Sequence, residues 1–145
     1  MINKEQWQFS KRDNVSTAWK GLEDYIFPLI KHFNINQNIA LEFGVDHGYS
    51  TDILSQAFNK VVGVDSFIGD VHINHAQGYE FYSTVKNSFA GTNVEIVRTS
   101  FENFIKYNNN RYDLIHIDIV HEYEPTFNCT DWAIQHSDVV ILHDT

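Results

Sequence analysis

Five short apolar segments alternate with segments of helical periodicity along most of this 145-residue chain. The apolar segments have the lengths of buried strands, and the segments between them carry apolar residues at spacings of three and four. Strands that alternate with helices form parallel sheets covered on both faces. The predicted strands are IALEF (39–43), VVGVD (61–65), VEIV (94–97), RYDLIHID (111–118) and SDVVILHD (137–144). The sequence therefore predicts one α/β domain with a doubly wound, mostly parallel sheet between two helix layers.

The helices are predicted from the same periodicity. Five helices are predicted. The first covers Val15–Phe33, the second begins near Ser50, the third presents an apolar face from Tyr79 to Phe89, the fourth covers residues 99–107 and the fifth covers Glu124–His136. Pro28 would kink the first of them, because proline removes a backbone donor. Thr99 and Glu102 have the spacing of a capping box at the start of the fourth. Residues 1–14 are predicted to form a loose arm, in which Trp7 and Phe9 could pack against the domain.

Composition narrows the class of protein. The formal net charge is −9, from 19 acidic and 10 basic residues, and this argues against nucleic acid as a partner, because phosphate binding needs a basic surface. Cys129 is the single cysteine, so no disulfide can form within the chain and a reducing compartment is expected. No apolar run approaches the roughly 18 residues of a membrane span, and the polar start lacks a signal peptide's apolar core. A soluble, cytoplasmic domain with no membrane partner is expected.

Four of the five predicted strands carry a carboxylate at or near their carboxyl end. These are Glu42 in the first strand and Asp65, Asp118 and Asp144 at the ends of the second, fourth and fifth. The carboxyl ends of parallel strands meet at one edge of the sheet, where α/β folds bind their ligands. The four acids are therefore predicted to lie at a functional edge.

A glycine turn after the first strand indicates the kind of ligand. Asp65 lies 21 residues beyond Gly44, close to the spacing of the acid that binds ribose hydroxyls in dinucleotide folds. However, Gly44 and Gly48 give the spacing G-x-x-x-G, and the neighbouring Glu42 and Asp46 would repel a diphosphate. These acids favour a ligand with a cationic, amino-acid-like end, such as S-adenosylmethionine. A nicotinamide-dependent oxidoreductase is a disfavoured alternative.

Several motifs in order resemble those of one enzyme family. EFGVDHGYS (42–50) resembles the first motif of class I S-adenosylmethionine-dependent methyltransferases. VDSFIGD (64–70), YDLIHIDIVHEYE (112–124), Trp132 and VVILHDT (139–145) resemble a subgroup of small-molecule methyltransferases often met in glycan and natural-product gene clusters. The similarity covers roughly residues 38–145. It implies a Rossmann-like fold and methyl transfer from S-adenosylmethionine to a hydroxyl or amine of a small molecule, such as a sugar or related metabolite.

The resemblance also implies roles for individual residues. The implied cofactor site consists of Glu42, Gly44, Gly48, Ser50, Asp65, Ser66, Phe67, Ser100 and Phe101. In it, Glu42 faces the methionine end, Asp65 binds the ribose hydroxyls, and Ser66 and Phe67 border the sugar and base. The two glycines let the backbone approach the cofactor, and Ser50 stands at the helix start. Ser100 takes the position that bonds the adenine amino group, with Phe101 beside the ring.

Catalysis is predicted at the end of the fourth strand. Asp118 would close the pocket near the methyl group, and His121 is the candidate general base, because an unperturbed imidazole is largely neutral at pH 7. A divalent ion, Mg²⁺, is a further possibility, with Asp118, Asp144 and His143 as ligands and His121 able to join them. His116, within the strand, is predicted to be a hydrogen-bonded core histidine.

Two departures from the family pattern raise alternatives. Ile119 stands where the family has glycine after the strand-four acid. The two strands that follow the fifth in the family have no counterpart before Thr145, so the sheet is predicted to be shortened and its fifth strand to lie at an edge. A homodimer is expected to cover that edge. A truncated or non-catalytic domain that only binds S-adenosylmethionine stays an alternative.

Overall fold

The computed structural model describes residues 17, 19–69 and 76–143 and confirms the alternation of strands and helices. The elements in chain order are α1 (Glu23–Phe33), β1 (Ile39–Phe43), α2 (Tyr49–Ala57), β2 (Lys60–Asp65), α3 (Tyr79–Ser88), β3 (Val94–Arg98), α4 (Phe101–Tyr107), β4 (Tyr112–Ile117), α5 (Tyr123–His136) and β5 (Ser137–Leu142). The predicted arm with Trp7 and Phe9, the ligand candidate Asp144 and the end of the chain at Thr145 lie outside the described residues.

The five strands form one parallel sheet in the order β3-β2-β1-β4-β5. The chain starts in the middle of the sheet, builds outward through β2 and β3, and then returns to the other side of β1 with β4 and β5. This is the predicted doubly wound, Rossmann-like fold. Its topological switch point lies between β1 and β4, where the crevice at the carboxyl ends of the strands receives ligands in such folds.

The sheet is covered on both faces. One apolar cluster joins the sheet to α1 and α2 through residues such as Ile26, Ile53 and Leu114. A second cluster on the opposite face joins it to α4 and α5 through residues such as Phe43 and Ala133. This double coverage explains why the strands read as nearly continuous apolar runs, since both faces of a parallel sheet are buried. A buried polar residue within such a strand, like Glu42, therefore needs a partner inside the protein.

Two sequence predictions about helix starts are wrong. The first helix begins at Glu23, not at Val15, and Gly21 just before it has a φ of 98°, which no helix residue can adopt. Pro28 lies inside α1 as predicted. The N-cap of α4 is Ser100, whose Oγ accepts a hydrogen bond from the Asn103 N–H at 3.2 Å. A serine one residue later therefore does the work predicted for Thr99.

No helix in the described part of the chain combines the length and apolar character needed to cross a membrane.

Candidate active site

The glycine turn after β1 lies directly against the end of β4. Gly44 has a φ of 90°, and a Cβ at this position would lie 1.7 Å from the backbone carbonyl oxygen of Asp118. On the other side, the Gly44 N–H donates to the Val64 carbonyl of β2 at 2.9 Å. Gly48, with a φ of 83°, is the N-cap of α2. The turn is thus held between the strands on both sides of β1, and only glycine fits at position 44.

Asp65 fastens the same turn to the end of β2. Its Oδ2 accepts hydrogen bonds from the N–H groups of Val45 at 2.9 Å and Asp46 at 3.0 Å, and its Oδ1 accepts one from Phe67 at 2.8 Å. Burial raises the pKa of Asp65 above its ordinary value, although the three backbone N–H groups oppose the shift. A carboxylate offers about four lone pairs, and three of them are used here, two by the glycine turn and one by the loop after β2. Asp65 therefore has a structural role in addition to the ribose contact predicted for it.

Glu42 is fully buried and bonded within the protein. The hydroxyl of Thr51, on α2, donates to its Oε1, and Nδ1 of His116 lies 2.7 Å from its Oε2. Because a carboxylate only accepts, His116 donates through Nδ1. Glu42 and His116 are direct neighbours across β1 and β4, with Gly63 of β2 opposite Glu42 on the other side. The sequence predicted a ligand as the partner of Glu42, whereas both oxygens contact protein groups here, and His116 is the buried, hydrogen-bonded histidine that was predicted.

Asp118, His121 and His143 come together beyond the ends of β4 and β5. The Asp118 Oδ1 lies 3.0 Å from Nδ1 of His143 and 3.4 Å from Nε2 of His121. All three side chains are partly exposed, Asp118 by 24%, His121 by 32% and His143 by 21%. The structure thus brings together the two predicted catalytic residues, Asp118 and His121, and two of the three predicted metal ligands, Asp118 and His143.

Trp19 is a residue of this site that sequence reasoning missed. Its indole Nε1 donates to the Asp118 Oδ2 at 2.7 Å, and its ring lies edge-on to His116 with 4.3 Å between the ring centroids. The His143 ring lies 4.6 Å from it on the other side. Trp19 therefore separates the buried Glu42–His116 pair from the exposed group around Asp118. This contact cannot be predicted from a local sequence pattern, because 99 residues separate the tryptophan from the aspartate.

Three further residues of the predicted cofactor site are buried or pack against the core. Phe67 has a fully buried side chain that packs on Phe81 and Tyr82, so it cannot border a sugar or base as predicted without leaving the core. Ser50 is buried in the first turn of α2. Phe101 packs against the core cluster beneath α4.

Two remaining positions bear on the predicted pocket. The carbonyl oxygen of Ser66 lies 3.4 Å from Nε of Arg98, which donates to it, while the hydroxyl of Ser100 is used as the α4 cap. Ile119 is not among the described non-glycine residues with positive φ, which are Asn34, Asp46 and Phe67. The absence of the family's glycine at position 119 therefore introduces no left-handed strain.

Comparison with known families gives one match over most of the chain. A family model described as "Methyltransferase domain" matches residues 41–145. No curated protein matches the chain.

Solved structures with the same fold include several methyltransferases. An S-adenosylmethionine-dependent methyltransferase from Clostridium acetobutylicum matches with a TM-score of 0.64 and 17% identity over 88% of this chain and 50% of that one. The plantazolicin methyltransferase BamL, in complex with a triazolic desmethylPZN analogue and SAH, matches with a TM-score of 0.61 and 18% identity over 88% and 44%. An rRNA methylase from Streptococcus thermophilus matches with a TM-score of 0.59 and 10% identity over 89% and 72%.

These structural matches concern the fold. The chain spans about half the length of the first two of these proteins. At identities of 10% to 18%, the shared architecture is the common feature. The names of two of the proteins give molecules of different kinds, rRNA and plantazolicin.

Proposed function

Because the chain belongs to the methyltransferase-domain family, we propose that it binds S-adenosylmethionine and transfers the methyl group to a hydroxyl or amine of a small molecule. The observation that carries the proposal is one sheet edge, where the glycine turn, Asp65 and the Asp118–His121–His143 group all lie beside the switch point. A sugar or related metabolite is the proposed acceptor class. The net charge of −9 supports a small acceptor over RNA.

The chemistry of the edge fits this cofactor better than a dinucleotide. Asp46 lies in the glycine turn, where a dinucleotide would place its diphosphate. A sulfonium and an α-ammonium group are compatible with that acidic surrounding. We propose that Gly44 and Gly48, which lack side chains, let the cofactor approach the backbone of the turn. We propose further that Asp65 accepts a hydrogen bond from a ribose hydroxyl with its remaining lone pair. Ser66, Ser100 and Phe101 are proposed to border the nucleoside through the ends of β2 and β3.

Replacing Asp65 with alanine is expected to weaken S-adenosylmethionine binding by at least about tenfold. The variant loses a charge-assisted hydrogen bond, which contributes about 1.5–3 kcal/mol before compensation, and it also loosens the glycine turn. Titration calorimetry with S-adenosylmethionine measures the effect, and a parallel titration with NAD tests the oxidoreductase alternative.

Asp138→Ala is the matched control for this titration, because Asp138 pairs with Arg111 on the exposed surface at the start of β5. It removes the same charge without touching the site. An Asp65→Ala protein that is folded and keeps the wild-type affinity would contradict the cofactor assignment, as would wild-type protein that binds NAD in preference.

For catalysis, we propose that His121 takes the acceptor's proton. S-adenosylmethionine supplies an electrophilic methyl group when it is bound. The chain's own task is to hold the acceptor hydroxyl at the exposed edge and to accept its proton at Nδ1 of His121. Asp118 orients the imidazole through Nε2, and Trp19 in turn orients Asp118. A base of this kind must lie within hydrogen-bond reach of the acceptor, and the partial exposure of His121 permits that approach.

Replacing His121 with alanine is expected to lower turnover by at least about 10²-fold, since general-base catalysis contributes that much or more. The affinity for S-adenosylmethionine should stay within about twofold, because the proton is taken from the acceptor. The assay is formation of S-adenosylhomocysteine with a panel of sugars and related hydroxyl compounds. His32→Ala, an exposed histidine on α1, is the control, and a full rate in His121→Ala would show that this residue is not the base.

A non-catalytic S-adenosylmethionine-binding domain is the second candidate. It is favoured by the hydrogen bonds of Glu42 and Asp118, whose carboxylates are engaged with protein groups on both oxygens. Cofactor binding with no S-adenosylhomocysteine formed from any acceptor would support it. A homodimer through the β5 edge and a cytoplasmic location stay predictions.

The predicted magnesium ion does not fit the donors that the described residues supply. Mg²⁺ prefers oxygen ligands in octahedral geometry, whereas two of the three convergent groups here are imidazoles. No catalytic step is therefore assigned to magnesium.

A further inference from the structure

The group formed by Asp118, His121 and His143 has the geometry of a metal site of a different class. One potential ligand atom from each side chain, a carboxylate oxygen and two ring nitrogens, lies within 4.8 Å of the other two. Such spacing lets three atoms surround one ion after small side-chain rotations, because bond lengths to zinc are about 2.0–2.2 Å.

The backbone that carries two of these side chains is fixed by the sheet. The Asp118 N–H donates to the Phe43 carbonyl at 2.8 Å, and the His143 N–H donates to the Ile117 carbonyl at 3.1 Å. Both residues therefore extend neighbouring strands in register, and their side chains lie beside each other beyond the sheet edge. His121 follows Asp118 by three residues and approaches from the loop before α5.

Trp19 supplies the outer support that metal carboxylates usually have. Its indole N–H holds the Asp118 Oδ2 at 2.7 Å, which leaves the Oδ1 directed at the two histidines. Hydrogen bonds of this kind orient ligands and are a regular feature of metal sites. The partial exposure of all three donors gives an ion a path from solvent.

We propose that Asp118, His121 and His143 bind a divalent transition ion of the zinc class. Two imidazoles and one carboxylate suit zinc and the neighbouring transition ions, and they disfavour magnesium and calcium. The proposal does not rest on methyl transfer. The proposal still bears on methyl transfer, because an ion on Nε2 of His121 would replace the contact by which Asp118 orients this imidazole.

The test is a Zn²⁺ titration of chelator-treated protein from which any purification tag has been removed. We expect one ion per chain, measured by calorimetry and by metal content after desalting, and no displacement by millimolar Mg²⁺. Co²⁺ as a second probe should give visible absorption bands typical of nitrogen and oxygen ligation in a low-coordinate site. Neither measurement needs cofactor or acceptor, so failure here leaves the proposed function untouched.

Single variants assign the ligands. His121→Ala, His143→Ala and Asp118→Asn should each weaken Zn²⁺ binding by at least about tenfold, since even the loss of outer partners typically costs 10–100-fold. His32→Ala is the control and should bind like the wild type. Because His121 is the most exposed of the three residues, its replacement is expected to disturb folding least. Absence of stoichiometric binding, equal competition by Mg²⁺, or wild-type affinity in His121→Ala and His143→Ala would overturn the proposal.

Discussion

Replacing Gly44 with alanine is expected to lower the free energy of unfolding by about 2–5 kcal/mol or more. The new Cβ would lie 1.7 Å from the carbonyl oxygen and 2.6 Å from the carbonyl carbon of Asp118. Because both obstacles are backbone atoms of β4's end, no side-chain rotation relieves them. Left-handed backbone costs a non-glycine residue about 1–2 kcal/mol, and overpacking typically costs about 1–3 kcal/mol or more. Together these costs reach the lower end of the stability of an average domain, which is about 5–15 kcal/mol.

Gly91→Ala is the matched control for this effect. Gly91 also has a positive φ, of 75°, but an added Cβ there meets nothing within 4 Å. It should therefore lose only the conformational part, about 1–2 kcal/mol. Urea unfolding followed by circular dichroism measures both variants. If the two alanines destabilise the protein equally, the contact with Asp118 is not what demands glycine at position 44.

Replacing Glu42 with leucine is expected to lower the free energy of unfolding by about 2–6 kcal/mol, because each of the two buried donors that lose their acceptor costs about 1–3 kcal/mol. The variant leaves the buried Nδ1–H of His116 and the hydroxyl of Thr51 without their acceptor. His116 Nε2 already has no hydrogen-bond partner among the described residues, so the ring would be buried with neither nitrogen satisfied.

The double variant Glu42→Leu/His116→Leu tests whether the loss of stability comes from the unsatisfied groups of His116. Replacing both members of a buried pair by apolar residues is often nearly neutral, so the double variant should be more stable than Glu42→Leu alone. Urea unfolding of the single and double variants gives the coupling free energy. Additive losses would mean that the two side chains stabilise the domain independently.

The fold could be predicted because its signals are local. The strands and helices follow from periodicity and turn residues within windows of about ten residues, and right-handed crossovers then bring the ends of β1, β2 and β4 to one edge. The shared location of Gly44, Asp65 and Asp118 follows from that topology alone. The first helix was predicted too long because its apolar spacing continues through Gly21, whose backbone conformation the spacing does not reveal.

The partners of the site residues could not be predicted, because they depend on register and on long-range packing. Glu42 and His116 face each other only because β1 and β4 pair in one register, across 74 residues of sequence. Phe67 reads as an exposed loop residue, but a φ of 54° turns its side chain into the core. The indole of Trp19 reaches Asp118 through the path of the segment before α1, which leaves no trace in local spacing.

The contact between Gly44 and the Asp118 carbonyl also limits how the site can move. The glycine turn, β2 and the end of β4 are locked by backbone contacts on both sides, so they should behave as one rigid body when a ligand enters. Any opening or closing must then come from parts attached by side chains alone. Trp19 is such a part, since the described contacts that join it to the acidic edge are an indole hydrogen bond and ring contacts. Changes in shape during a binding cycle are therefore expected to be concentrated at Trp19, while the floor of the crevice stays still.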